Sequence, residues 1–191
     1  MSIEPRLQLT IDELNSNRVG QIIALFKDLA RRRDQINVKQ VNITRTLILG
    51  VSDINESGTE YGSWRFATQT NNFSAMYYER WLPHQYNIYY LDRAYFHLYR
   101  TDPIQLRSEE YILLHCDANE PEEAAHAKFK QSPHLHFSFA EQPIPHSHIA
   151  LNNGNLNEIL SSVDLLHEAF RQAVYMINEQ ILIPISNHQR S

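Results

Sequence analysis

The sequence predicts an α+β fold, a mostly antiparallel sheet with an N-terminal and a C-terminal helix packed on one of its faces. Three observations carry that expectation. Apolar residues recur at three- and four-residue steps near the start of the chain, at Val19, Ile22, Ile23, Phe26 and Leu29. The same spacing returns near its end, at Leu156, Ile159, Leu160, Val163, Leu166, Phe170, Val174, Ile177 and Ile181. Between the two stripes the period falls to two and aromatic residues accumulate, the pattern of half-buried strands. At 191 residues the chain is expected to form one domain, residues 1–191, with a helix over about 10–33, a sheet over about 36–151 and a helix over about 155–182.

Each element has its own signal. Thr10-Ile11-Asp12-Glu13 has the spacing of a capping box and opens the first helix, with a break expected near Asn15-Ser16-Asn17. Val41, Ile43, Leu47, Leu49 and Val51 alternate, with Arg45 the exception, and read as one long strand ending at Ser52-Asp53. Asn55 to Gly58 is turn-like, Trp64, Phe66 and Thr68 alternate, and Phe73 to Trp81 fits helix and strand equally. Asn87 to Arg100 reads as two strands bent at Asp92-Arg93, and Ser108 to Cys116 as another strand. Pro121 followed by Glu122-Glu123-Ala124-Ala125 reads as a short helix within the polar segment Asp117 to Gln131. Leu135, Phe137 and Phe139 alternate, as do Ile149 and Leu151. The turn Asn152-Asn153-Gly154-Asn155 precedes the last helix, which is expected in two pieces near Ser161-Ser162 and to end at Pro184.

Composition excludes several classes of function. A net charge of −5 gives no global positive field to draw the chain onto nucleic acid, and the local run Arg31-Arg32-Arg33 with Lys39 and Arg45 reads as a solvated helix end. Cys116 is the only cysteine, so an internal disulfide and a four-thiolate zinc site are both excluded; its strand setting predicts a buried, inert thiol. The first residues lack the apolar core of a signal peptide and no apolar run approaches membrane-spanning length, so no membrane association and a cytoplasmic location are expected. The Gly-rich phosphate loop, the G-x-S-x-G elbow and the H-E-x-x-H helix are missing, which removes the usual marks of P-loop, serine-hydrolase and zincin chemistry.

The chemistry-bearing pattern is a doubled one. Pro133-His134-Leu135-His136 is followed, eight residues on, by Pro145-His146-Ser147-His148. In a strand, residues two apart share a face roughly 6–7 Å apart, so each pair presents two imidazoles side by side. Three readings follow. His134, His136, His146 and His148 supply nitrogen ligands to a divalent transition metal such as Zn, Ni or Mn, with Asp117 or Glu141 as oxygen ligands. Alternatively, two of the histidines act as general base and general acid on a phosphodiester, with a cation among Arg45, Arg93, Lys128 and Lys130. In the third reading they lie on the wet face of a strand pair and only hydrogen-bond. His115 and Asp117, two apart at a strand end, assist in the chemical readings, and His136 and His148 are the pair at their centre. His126 reads as an exposed helix residue, His84 and His97 as packing partners among aromatics, and His167 as a core histidine.

From Tyr111 to about Ile159 the sequence resembles TumE-type toxins of prokaryotic toxin–antitoxin systems. Asp117-Ala118-Asn119 stands at the Asp-Asn element of that family, Pro133-His134-Leu135-His136 at its first histidine element and Pro145-His146-Ser147-His148 at its second. Leu156 to Ile159 opens the following helix. The chain departs from the family in separating Asp117 from Asn119, in the insert from Pro121 to Lys130, and in having His-x-His at the first element. The resemblance implies a toxin-like effector acting on RNA or translation and neutralised by a protein partner; joined to the histidine readings, it gives a histidine-dependent phosphodiesterase, an RNase-like effector of a toxin–antitoxin or defence module. The alternative is a non-catalytic interaction protein whose aromatic sheet and C-terminal helix bind a complex subunit or a second copy of the chain, with a structural or metal-binding histidine cluster.

Overall fold

A computed structural model of the chain describes residues 7–54, 60–102, 104–105, 107–118, 130, 133–137, 147–151 and 154–188. Among these, nine strands form a single antiparallel sheet: β1 (Gln8–Thr10), β2 (Ile36–Ile43), β3 (Thr46–Asp53), β4 (Phe66–Ala67), β5 (Phe73–Gln85), β6 (Ile88–Thr101), β7 (Ser108–Asp117), β8 (His134–Phe137) and β9 (Ser147–Ala150). The order is β2-β3-β5-β6-β7-β8-β9. β4 continues the line of β3 along β5, and β1 pairs with the first residues of β6, past the stretch that β7 occupies. Helices α1 (Ile11–Glu13) and α2 (Val19–Phe26) lie between β1 and β2; α3 (Leu156–Ile159), α4 (Val163–Ile177) and α5 (Ile183–His188) follow β9. None of the described helices is long and apolar enough to cross a membrane.

The pleat gives the sheet two chemically different faces. On one, Leu47, Leu49 and Val51 of β3, Ala75, Tyr77 and Trp81 of β5, Ala94, Phe96 and Leu98 of β6, and Ile112, Leu114 and Cys116 of β7 are buried under α2 and α4. Phe26 of α2 stacks on Phe96 at 5.5 Å and meets Tyr77 at 4.7 Å, and Phe170 of α4 meets Tyr77 edge-on at 5.5 Å. On the other face Ile48, Trp64, Met76, Tyr78 and Tyr99 make a smaller cluster. Trp64 lies against Gly50 so closely that a Cβ there would come within 2.4 Å of the indole. The expected buried thiol of Cys116 belongs to the helix-covered core.

Several boundaries differ from the sequence reading, each for a local reason. The capping box forms as expected, Glu13 N–H donating to Thr10 Oγ1 and Thr10 N–H to Glu13. No break follows; Leu14–Arg18 stays helical as a π-helical turn, and the helix ends at Phe26 instead of near residue 33. The long strand through Arg45 is a hairpin. Thr44 and Arg45 take φ of 49° and 70°, the two positive values of a tight type I′-like turn, with no Asn-Gly to announce it. Phe73–Gln85 is strand, and the expected bend at Asp92-Arg93 is a bulge within the continuous β6. The last helix runs past Pro184. A π-helical turn, Asn178–Leu182, immediately precedes α5, so the proline enters a continuous helix where its i→i−4 ladder is already interrupted. The helix expected at Pro121 lies outside the described residues.

One buried charge pair ties the first helix to the sheet. Arg18, at the end of the π turn, and Glu79 of β5 have fully buried side chains. Arg18 Nε donates to Glu79 Oε1 at 2.9 Å, Trp81 Nε1 donates to Oε2 at 3.0 Å, and the Tyr77 hydroxyl donates to Oε1. Arg18 Nη1 continues to Gln21, which donates to Asp164 of α4 at 2.7 Å. Removing one member strands the other charge in the core. Arg18→Met is therefore expected to cost about 3–5 kcal/mol in guanidinium unfolding, and adding Glu79→Gln, which keeps an acceptor for Trp81, is expected to restore part of it.

Candidate metal centre

β7 and β8 build the site on the face away from the helices. Leu135 of β8 enters the helix-covered core, which turns His134 and His136 to the other side. Leu114 and Cys116 do the same for His115 and Asp117 on β7. The register sets His115 opposite His134 and Leu113 opposite His136. One donor atom each from His115, Asp117, His134 and His136 then lies within 4.8 Å of all the others. His134 and His136 bring their Nε2 atoms to 2.9 Å, and His134 Nε2 stands 3.8 Å from Asp117 Oδ2. Tetrahedral binding at about 2.0–2.2 Å places donor atoms about 3.4 Å apart, a value these two distances bracket. His134 is fully buried and His136 nearly so, while His115 and Asp117 are half-buried and form the more accessible side.

Residues around the four fix their aim. The Tyr95 hydroxyl of β6 donates to Asp117 Oδ1, and its ring stacks flat on His115 at 3.7 Å and 7°. His97 Nε2 lies 2.7 Å from His115 Nε2, while its Nδ1 reaches the Tyr99 hydroxyl at 3.3 Å and lies 3.7 Å from Glu110. Hydrogen bonds from neighbouring groups orient metal-ligating imidazoles generally, and His97 is placed to do so for His115. Lys130 Nζ stands 3.7 Å from Asp117 Oδ2. Burial, helped by Arg65, pushes the His97 ring down to about 4. Burial pushes His115 lower still, with further contributions from His136, His97 and His134. Both rings are neutral at ordinary pH, the form in which imidazole binds metal. The Tyr95 hydroxyl is raised by burial and by its bond to Asp117, so it stays a donor.

Of the residues expected from sequence, the structure brings together His115, Asp117, His134 and His136. His148 is opposite His136 in the β8–β9 register; its side chain lies outside the described residues, as do His146, Glu141, His126 and Lys128. Of the expected cations, Lys130 lies beside the cluster and Arg93 on the neighbouring strand, whereas Arg45 is at the β2–β3 turn. Arg31 and Arg32 bond to Thr68, Asn71 and Gln35, and Arg33 pairs with Asp28. His84 meets Tyr90 edge-on, as a packing partner does. The sequence reading missed His97 and Tyr95. Their signal is phase: Tyr95, His97 and Tyr99 alternate with Ala94, Phe96 and Leu98, which are buried under the helices. Comparison with known protein families, with characterised proteins and with solved structures finds no match to this chain.

The depressed imidazoles set a pH dependence. Unfolding returns His97 to its ordinary value near 6.5, so between about pH 6.5 and 4 the unfolded chain holds more protons than the folded one. Stability from this source is full above that window and lost as pH falls through it. In chelator-treated protein, His97 alone is expected to remove on the order of 2 kcal/mol between about pH 7 and 5. Denaturation midpoints across that range check this, and His97→Gln is expected to flatten the curve.

Proposed function

We propose that the chain is a metal-dependent phosphodiesterase in which His115, His134 and His136 hold a divalent transition ion and Asp117 acts as the general base beside it. The observation that carries this reading is the convergence of these four donors on one sheet face. Metal-free acid–base catalysis needs one imidazole protonated near neutrality, and burial drives His97 and His115 the other way. With Asp117 as the base, the three imidazoles would leave a fourth position for water, the pattern of hydrolytic centres, whereas Asp117 as a fourth ligand would complete the set typical of structural ones. Asp117 suits the base: Tyr95 holds one of its oxygens, and the other is turned toward His134 and Lys130. An ion held there would supply Lewis acidity toward a phosphoryl oxygen and acidify a water, and Zn, Ni and Mn all accept this donor set.

The narrower reading, an RNase-like effector of a prokaryotic toxin–antitoxin or defence module working in the cytoplasm against RNA and held by a protein partner, draws its support from the TumE-type resemblance. In it His146 and His148 join the site from the second histidine element. A second reading, a non-catalytic interaction protein, draws support from Leu165, Tyr175 and Ile183 on the C-terminal helices, which are 48%, 62% and 40% exposed.

Asp117→Asn separates these alternatives. With the ion bound as in wild type, its hydrolysis of RNA or of bis(p-nitrophenyl) phosphate is expected to fall by about 100-fold or more. His134→Ala with His136→Ala is expected to abolish both metal binding and hydrolysis. Loss of the ion from Asp117→Asn would make the carboxylate a ligand, and metal-loaded wild type that cleaves neither substrate would favour the interaction protein.

A further inference from the structure

Beside the cluster, β6 carries one residue too many for its partner. Arg80 pairs with Arg93 and Trp81 with Leu91, leaving Asp92 as the extra residue of a bulge. Bulges re-aim side chains, and this one places Asp92 between two arginines. Arg80 Nε donates to Asp92 Oδ2 at 2.7 Å and Arg93 Nε donates to the same oxygen at 2.8 Å. Among the described residues, Nη1 of Arg80 and both Nη groups of Arg93 have no hydrogen-bond acceptor, and the two side chains are 31% and 34% exposed. One carboxylate oxygen thus orients two guanidinium groups whose outer donors remain available.

The pair is continuous with the metal centre. Arg93 stands opposite Asp117 in the β6–β7 register, and its guanidinium lies 5.5 Å from the centre of the Tyr95 ring, whose hydroxyl bonds Asp117. Tyr78 meets Tyr95 edge-on at 5.6 Å, and its hydroxyl, pushed up to about 12 chiefly by burial, is close enough to feel Arg93, Arg80 and Asp117. Along this strip the three cations Arg80, Arg93 and Lys130 face the two carboxylates Asp92 and Asp117.

We propose that Arg80 and Arg93 form the anion subsite of this centre, oriented by Asp92, and that the ligand they take is the phosphate of a phosphate ester. The inference deepens the phosphodiesterase reading and rests on it only for the position of the reacting bond. Two planar guanidinium groups offer the paired donors that phosphate oxygens accept in bidentate fashion, a geometry a lysine point charge lacks. Asp92 is a positioning residue: it fixes both guanidinium groups and touches no substrate.

The test is calorimetric titration of the full chain with inorganic phosphate and with a nucleoside 5′-monophosphate, with and without zinc. Wild type is expected to bind both, and Arg80→Gln or Arg93→Gln to weaken binding about tenfold or more while leaving zinc stoichiometry unchanged. Arg93→Lys keeps a cation for Asp92 and so guards against a folding artefact; it is expected to weaken phosphate binding because the fork is lost. His134→Ala is expected to lose zinc and to keep arginine-dependent phosphate binding to the zinc-free protein. Phosphate affinity indifferent to all three arginine variants would overturn the subsite. Zinc-free binding that depends on the arginines, in a chain that takes up no zinc, would uphold the subsite and remove the metal reading instead.

Discussion

The register between β7 and β8 is the constraint on which the rest depends. Leu114 opposite Leu135 is an apolar pair that belongs under the helices, and burying it forces His115 opposite His134 on the other face. Because side chains alternate strictly, a slip of one residue would send His134 and His136 into the apolar core and push Leu135 out. A pair of desolvated imidazoles among Phe and Leu side chains would cost several kcal/mol. Two leucines therefore decide where four metal-competent side chains meet, although they touch none of the chemistry.

The helix-covered face secures that register from beneath. Its fully buried ion pair among the described residues, Arg18 with Glu79, lies under the middle of the sheet, and Tyr77 and Trp81, flanking the carboxylate on β5, both donate to it. The next outward-facing residue of β5 is Arg80, which shares Asp92 with Arg93. Neighbouring residues of one strand thus serve the core on one side and the anion strip on the other. Tyr95 has a similar double position on β6, stacking on His115 while bonding Asp117. The face away from the helices is accordingly ordered, with hydroxyls, carboxylates and imidazoles that mostly satisfy one another.

Much of this was legible in the sequence. Periodicity alone separated helix, sheet and helix, the capping box at Thr10 formed as spaced, and the phase of Leu135 against His134 and His136 predicted which side chains would share a face. Periodicity could not see the Thr44-Arg45 turn: a two-residue hairpin shifts the phase by one, but Val41 and Ile43 lie on the face of Ile48, opposite to Leu47, Leu49 and Val51, so apolar residues stay at alternate positions across it, and neither turn residue is a usual bearer of positive φ. Nor could spacing bring His97 to His115. That contact depends on which strands become neighbours, eighteen residues apart in sequence and adjacent in the sheet. The bend read at Asp92-Arg93 was right in place and incomplete in meaning; only pairing shows that it is a bulge and that Arg80 lies across from it.

The most direct measurement is a crystal structure of the zinc- or manganese-soaked protein with anomalous scattering recorded at the metal edge. The account predicts one strong peak on the sheet face away from the helices, about 2.0–2.2 Å from one nitrogen each of His115, His134 and His136, with Asp117 alongside and an open position toward Arg93. Anomalous density held by other residues, or these imidazoles still bonded to one another with no ion between them at saturating metal, would contradict it.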